Sequence, residues 1–212
     1  MRRCPDLSLY LVLDPGLCAG VGLVETARAA VAGGATVVQL RDKAAGTARM
    51  IETGRALKAA LAGTGVVLIV NDDVEAAVAI GADGLHIGQG DMAVTEARAR
   101  IGPAMVLGLS VETPALAAAV DPALVDYIGA GPVFATPSKL DHKAPVGFEG
   151  LAAQVAASPV PAVAIGGLKA EHVAQVLKAG AQGVAVVSAI CGQPDPAAAA
   201  RAISPTPERM AL

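Results

Sequence analysis

The chain has 212 residues, enough to bury one sizeable core and few for two ordinary domains. Hydrophobic residues make up 54% of it and charged residues 17%, which excludes a disordered protein, and an aromatic share of 2% leaves few rings for stacking bases. The net charge is −3 and no basic run is present, so we expect no nucleic-acid partner.

Short apolar runs alternate along the chain with longer helical stretches. Several of the runs are almost continuously apolar, which is typical of parallel strands buried on both faces. Helical stretches such as 22–34 and 169–180 end in glycine, a residue that commonly caps a helix. The predicted strands, in chain order, are 7–13, 36–40, 66–70, 83–87, 104–109, 124–129, 161–165 and 183–187.

Eight strands alternating with helices predict the α/β class and, within it, a single (β/α)8 TIM barrel. A doubly wound open sheet is the rival architecture, and the count of eight favours the closed barrel. We expect one domain over residues 1–212, with a frayed tail from about residue 203.

The high hydropathy of the chain does not predict a membrane protein. The longest uncharged stretch, 151–168, contains two prolines and a glycine pair, so it is interpreted as helix end, turn and strand. Cys4, Cys18 and Cys191 are odd in number and far apart in the sequence, with no CxxC pair. We therefore expect reduced, inert thiols in a cytoplasmic protein with no membrane partner.

Polar residues follow most of the predicted strands. In a TIM barrel the catalytic groups lie at the C-terminal ends of the strands, so these residues should converge on one bowl. Their convergence from seven strands indicates a site more strongly than any single motif does. They are Gln39, Arg41 and Lys43; Asn71 and Asp72; His86, Gln89 and Asp91; Ser110; the segment 131–139; Gly166 and Gly167; and Ser188.

Arg41 and Lys43 alternate with Asp42, so the period of a strand puts both cations on the same side of the chain. With Lys139 from another loop, they would surround a polyphosphate. The alternative is an ordinary polar loop, with Lys139 as a solvated surface residue.

Asp72 and Asp91 follow neighbouring strands. Two carboxylates at adjacent strand ends can hold one hard cation, and Mg²⁺ takes one or two carboxylates together with phosphate oxygens. Either aspartate alone is better interpreted as a helix N-cap. Together, and beside three cations, they favour a magnesium site.

The last two strands carry a pattern typical of phosphate binding. Gly166 and Gly167 allow backbone N–H groups to approach a phosphate, and Ser188 is expected at the N-terminus of the next helix. Turn glycines and a serine cap are the alternative. The long loop 131–147 has the length of a lid or a disordered segment. His86 is expected to be a structural histidine, and neither His86 nor His142 is assigned to catalysis.

Seven segments of the chain, 38–43, 71–72, 84–91, 108–110, 131–139, 164–167 and 186–188, carry these polar residues. Together they resemble the thiamine-phosphate synthase family, in its order and spacing, from Leu9 to about Ala202. The resemblance implies that 4-amino-5-hydroxymethyl-2-methylpyrimidine diphosphate is joined to a hydroxyethylthiazole phosphate, giving thiamine phosphate and diphosphate. It implies a dissociative, Mg²⁺-assisted substitution in which the thiazole nitrogen attacks without a general base. The thiazole substrate would be the plain form, or the carboxylated form with CO₂ lost.

The resemblance also implies roles for individual residues. Asp72 and Asp91 would hold Mg²⁺, and the catalytic set would be Arg41, Lys43, Ser110 and Lys139. The family usually has threonine where this chain has Ser138, which keeps the hydroxyl. The pyrimidine diphosphate would be bound by Gln39, Arg41, Lys43, Asn71, Ser110 and Lys139, and the thiazole phosphate by Thr136, Ser138, Gly167, Val187 and Ser188.

Three alternatives are weighed against the synthase. The related thiazole tautomerase branch, an isomerase, tends to lack the carboxylate pair and carries histidine where this chain has Gly131. A non-catalytic regulator would bind thiamine precursors without forming product. An unrelated phosphate-binding barrel of amino-acid biosynthesis is the third. In each case the partners are small phosphorylated molecules, and a homo-oligomer is compatible with the sequence, which does not give the oligomeric state.

Overall fold

The computed structural model describes residues 4–136 and 144–205, which form a closed barrel of eight parallel strands. Each strand pairs with the next along the chain, and β8 pairs with β1 to close the ring. The predicted TIM barrel is therefore confirmed, and the open sheet is excluded. The strands are β1 Leu9–Leu13, β2 Val37–Leu40, β3 Val67–Asn71, β4 Gly84–Ile87, β5 Val106–Val111, β6 Tyr127–Ala130, β7 Ala162–Ile165 and β8 Gly183–Val186.

Helices connect the strands and cover the outside of the barrel. A short 3₁₀ helix, Ala170–His172, precedes the seventh of them. Within the described ranges, none of the helices combines the length and apolar composition that a bilayer crossing requires. They are α1 Leu23–Ala32, α2 Thr47–Ala60, α3 Val74–Ile80, α4 Val94–Ile101, α5 Pro114–Ala118, α6 Gly147–Ala157, α7 Val173–Lys178 and α8 Pro196–Ile203.

Two apolar layers hold the barrel together. The larger one packs outward-facing strand residues, such as Leu11 and Leu85, against the helices. The smaller one fills the interior and includes Tyr10, Ile69 and Tyr127. Most strands are buried on both faces because helices cover one side and the interior layer covers the other. This explains the nearly continuous apolar runs of the sequence.

Cys18 and Cys191 lie together, although they are far apart in the sequence. Both are buried, and their side chains are close enough for a thiol hydrogen bond. That contact, more than any other influence, lowers the pKa of Cys18 to about 7. The sequence did not predict this pairing, because it depends on the closure of β8 onto β1.

Candidate active site

A cavity of about 580 Å³ opens at the C-terminal mouth of the barrel. Residues from all eight strands or the loops after them line it. Among them are eight of the residues to which the sequence assigned roles. These are Gln39, Arg41, Lys43, Asn71, Asp72, Asp91, Ser110 and Thr136.

The period of two along the strands explains this convergence. On β2, Val37 belongs to the interior layer, and the same side of the chain continues through Gln39 to Arg41 and Lys43. Asn71 of β3 is level with His86 of β4, and Gly108 of β5 is level with the same histidine. Polar side chains therefore begin where the apolar interior ends.

Asp72 and Asp73 have different surroundings. Asp73 caps α3, since its carboxylate accepts a hydrogen bond from the Ala76 N–H at 2.8 Å. Asp72 is in the left-handed region at φ 61°, and its own N–H donates to the His86 carbonyl at 2.9 Å. The side chain of Asp72 is thus directed to the cavity instead of the helix end.

Asp91 completes a pair with Asp72. Its Oδ2 accepts from the Gly88 N–H at 2.6 Å, and Ala93, not Asp91, is the N-cap of α4. Burial is the main cause that raises the pKa of Asp72 to about 6, followed by the hydrogen bond and the charge of Asp91, while Lys43 and Asn71 act in the opposite direction. The two carboxylates are therefore close neighbours that repel each other when both are ionised.

This pair fits a hard divalent cation. A cation between the carboxylates would relieve their repulsion, and Mg²⁺ is typically held by one or two carboxylates with phosphate and water oxygens. Over residues 4–136 and 144–205, no cluster of three or more His, Cys, Asp or Glu forms an all-protein metal cage. The donor set thus suits a metal that shares its coordination with a substrate.

His86 lies in the wall of the cavity and is 8% exposed. Its Nδ1 lies 3.0 Å from the Tyr127 hydroxyl and its Nε2 lies 2.9 Å from Ser110 Oγ. Both ring nitrogens therefore have partners, which agrees with the interpretation of His86 as a hydrogen-bonded structural residue.

Two cavity residues with polar side chains were missed by the sequence analysis. Tyr10 lies inside the apolar run of β1, and nothing in the sequence indicates that its side chain lines the cavity. Glu112 directly follows β5 and lines the cavity beside Ser110. Its position two residues after Ser110 was a usable signal, since the strand period puts the two on the same side.

The end of β8 differs from the sequence prediction. Ser188 was expected at a helix N-terminus, and this is wrong, because α8 begins only at Pro196 and is capped by Asp195. A turn intervenes, in which the Val187 carbonyl accepts from the N–H groups of Ile190 and Cys191. Ser188 therefore opens a loop.

The predicted phosphate residues are only partly brought to the cavity. Gly166 lines it, whereas Gly167, Val187 and Ser188 are not among the described residues that do. Gly166 and Gly167 both have positive φ, 105° and 62°, which favours glycine at these positions. Ser138, Lys139 and His142 lie outside the described residues.

A parallel eight-stranded barrel with two cations and two carboxylates at its C-terminal mouth has the architecture of a TIM-barrel enzyme for anionic substrates. Comparison with known proteins agrees with this class. A family model described as thiamine monophosphate synthase matches residues 9–190. The chain belongs to this family, as the sequence motifs indicated.

Individual relatives cover almost the whole chain. A thiamine-phosphate synthase of Xanthobacter autotrophicus is 54% identical over 93% of this chain and 94% of its own length. A second, from Psychrobacter, is 48% identical over 94% of each. Among solved structures, the thiamine phosphate pyrophosphorylase of Pyrococcus furiosus superposes with a TM-score of 0.84 at 36% identity, covering 93% of this chain and 94% of that one.

Proposed function

We propose that this chain is a thiamine-phosphate synthase, a transferase that joins the pyrimidinylmethyl group of 4-amino-5-hydroxymethyl-2-methylpyrimidine diphosphate to the ring nitrogen of hydroxyethylthiazole phosphate, or of its carboxylated form with loss of CO₂. The observation that carries the proposal is the grouping of Arg41, Lys43, Asp72 and Asp91 around one cavity, in a member of this family. Its small phosphorylated substrates and its three free cysteines support a cytoplasmic setting.

The diphosphate is assigned to the side of the cavity formed by β2 and β3. The Arg41 guanidinium provides two parallel N–H donors for phosphate oxygens, and Lys43 provides a point charge. Lys139 is proposed as a third cation from the loop after β6. Asp72 and Asp91 would hold Mg²⁺, which, when bound, would neutralise part of the diphosphate charge.

The two organic rings are assigned to the remaining polar residues. Gln39, Asn71 and Ser110 are proposed to bind the pyrimidine portion, since each offers a neutral hydrogen-bonding group at the cavity wall. The thiazole phosphate is assigned to the opposite side, between the ends of β6, β7 and β8. The residues proposed there are Thr136, Ser138, Gly167, Val187 and Ser188.

The reaction breaks the bond between the pyrimidine methylene carbon and the diphosphate oxygen. Both electrons leave with the diphosphate, and the positive charge is spread over the aminopyrimidine ring. Arg41 and Lys43 at the cavity wall, with Lys139 proposed as a third cation, stabilise the negative charge that grows on the leaving group. The lone pair of the thiazole nitrogen then forms the new bond to carbon, so the step requires neither a protein nucleophile nor a general base.

Gly131 supports the synthase over the isomerase branch. A Cβ at this position would collide with the Ile165 carbonyl oxygen of β7 and lie 3.1 Å from the Val133 nitrogen. Histidine, which the isomerase branch carries there, would therefore require the backbone of β7 or of the loop after β6 to move. The carboxylate pair supports the same choice, because an isomerisation releases no diphosphate.

The proposal is tested by incubating the purified protein with both substrates and Mg²⁺ and measuring thiamine phosphate. We expect product that disappears with EDTA and returns with excess Mg²⁺. The matched pair Asp72→Asn and Asp73→Asn refines the test, since only the first removes a cavity carboxylate. Folded protein that leaves both substrates intact would refute the proposal in favour of the isomerase or a binding-only relative.

A further inference from the structure

A chain of hydrogen bonds crosses the barrel interior beneath the cavity. It runs from Gln39 on β2 through Tyr10 and Tyr127 to His86 on β4 and then Ser110 on β5. Its successive distances are 2.8, 2.9, 3.0 and 2.9 Å. Both ends of the chain line the cavity, whereas Tyr127 at its centre is fully buried.

The barrel is built around this chain. A Cβ on Gly108 would collide with the Tyr127 hydroxyl and with His86 Nδ1, the two atoms of the central hydrogen bond. A Cβ on Gly129 would lie 3.2 Å from the His86 ring. Glycines on β5 and β6 thus provide the space in which His86 and Tyr127 meet, with ring centroids 5.5 Å apart.

The direction of the first bond in the chain is fixed by the amide of Gln39. The Gln39 Nε2 amide can only donate, so the Tyr10 oxygen accepts. In the direction that gives each phenolic proton an acceptor within the chain, Tyr10 donates to the Tyr127 oxygen, 2.9 Å away. Tyr127 then donates to His86 Nδ1, 3.0 Å away, which is the only acceptor within the chain left for its proton.

The direction continues to the far end of the chain. With Nδ1 as an acceptor, a neutral His86 carries its proton on Nε2 and donates it to Ser110 Oγ. The Ser110 hydroxyl proton is then available to the cavity. Burial raises the pKa of both Tyr10 and Tyr127 above the usual range for phenols, so both keep the protons that the chain requires.

We propose that Tyr10, Tyr127 and His86 are positioning residues, which fix the hydrogen-bonding polarity of the two ring-binding residues Gln39 and Ser110. The chain commits the Gln39 amide nitrogen to the interior and leaves its oxygen as an acceptor for the substrate. It commits Ser110 to act as a donor. The assignment of these two groups to the pyrimidine ring rests on the proposed function, whereas the polarity of the chain does not.

The tautomer of His86 is the most direct test. The chain contains three histidines, so ¹⁵N spectra of the substrate-free enzyme can be assigned with His142→Gln and His172→Gln variants. We expect His86 at neutral pH to show a pyridine-type Nδ1 and a pyrrole-type Nε2. A pyrrole-type Nδ1, or a doubly protonated ring, would overturn the proposal whether or not the enzyme turns over.

Removing single hydroxyl groups tests the consequence for the substrate. Tyr127→Phe should mix the His86 tautomers and lower kcat/KM for the pyrimidine diphosphate about tenfold, with KM for the thiazole phosphate within about twofold. Tyr10→Phe should lower kcat/KM through Gln39 but keep the His86 tautomer, because Tyr127 still donates to it. Ile69→Val, an interior change without a hydrogen bond, should leave both readouts unchanged.

The outcomes separate the two proposals. Tyr127→Phe with an unchanged His86 spectrum and unchanged kcat/KM would overturn the positioning role. If that variant does not fold, the wild-type spectrum still decides the polarity of the chain. If the wild-type enzyme forms no thiamine phosphate, the proposed function fails, and the His86 spectrum continues to test the chain independently.

Discussion

Asp72 and Asp73 are adjacent carboxylates with separate tasks. Asp73 accepts from the Ala76 N–H and caps α3, whereas Asp72, at φ 61°, faces the cavity beside Asp91. Because the helix already has its cap, Asp72 is available for a ligand. The neighbouring pair therefore provides a natural contrast between stability and activity.

Asp73→Ala should destabilise the protein without abolishing activity. Loss of the cap leaves an N–H at the start of α3 without its partner and should lower the free energy of unfolding by about 1 kcal/mol. Thermal unfolding followed by circular dichroism should show Tm lower by roughly 2–4 °C. An unchanged Tm would mean that the cap contributes nothing in solution.

Asp72→Asn should stabilise the metal-free protein while it abolishes metal-dependent activity. The folded state raises the pKa of Asp72 to about 6, so ionisation of this group opposes folding. The penalty is complete above that pKa and disappears as the pH falls through it towards the ordinary value. Because the side chain is partly exposed, screening reduces the gain at neutral pH to about 1 kcal/mol.

The measurement is urea unfolding of wild type and Asp72→Asn in EDTA at several pH values. The stability difference should be present at pH about 7.5 and shrink as the pH is lowered below the raised pKa of Asp72. A difference that grows on acidification would show that ionised Asp72 stabilises the fold. Adding Mg²⁺ should stabilise the wild type and not the variant.

Arg41→Lys should weaken diphosphate binding although the charge is kept. Lysine cannot reproduce the two parallel donors of a guanidinium, so we expect KM for the pyrimidine diphosphate to rise about tenfold. KM for the thiazole phosphate should change little. Steady-state kinetics with each substrate varied in turn would reveal the split, and equal increases for both would assign Arg41 a general electrostatic role.

Substitutions at the N-terminal end of the barrel, opposite the cavity, should lower stability without lowering activity. Arg98 and Asp126 form a buried salt bridge of 2.8 Å, and Arg98 also donates to the carbonyl of Leu124. Asp126→Ala leaves the arginine charge buried without its carboxylate and should cost about 3–5 kcal/mol. Chemical denaturation checks this, with Glu96→Ala as a control.

Glu96 forms an exposed salt bridge with Arg100 at 2.7 Å, which should contribute at most about 0.5 kcal/mol. Where Asp126→Ala remains folded, its kcat should match that of the wild type, since Asp126 lies before β6 and away from the cavity. A large loss of kcat at full folding would contradict the separation of the two ends.

Much of this structure could be predicted from the sequence. Each apolar run lies on an observed strand to within a few residues, because strands buried on both faces leave a nearly continuous signal. Asn71, Asp91 and Ser110 could be assigned to one mouth because parallel strand ends meet there. Tyr10 could not, since a strand that is apolar on both faces does not reveal which face lies inside.

The remaining differences have one local and one non-local cause. Ser188 was expected to start a helix because serine commonly caps one, but the turn through Cys191 postpones α8 to Pro196. The hydrogen-bond chain joins residues of five strands and is set by barrel closure. Closure brings together residues that no sequence spacing relates.

The enzyme is proposed to join two phosphorylated substrates in this cavity and to release diphosphate. The most direct test of this proposal is ³¹P NMR of the purified protein with both substrates and Mg²⁺. We expect both substrate signals to decline together and thiamine phosphate and diphosphate to appear in equal amounts. Hydrolysis of the pyrimidine diphosphate without thiamine phosphate, or no change in either substrate with folded protein, would contradict it.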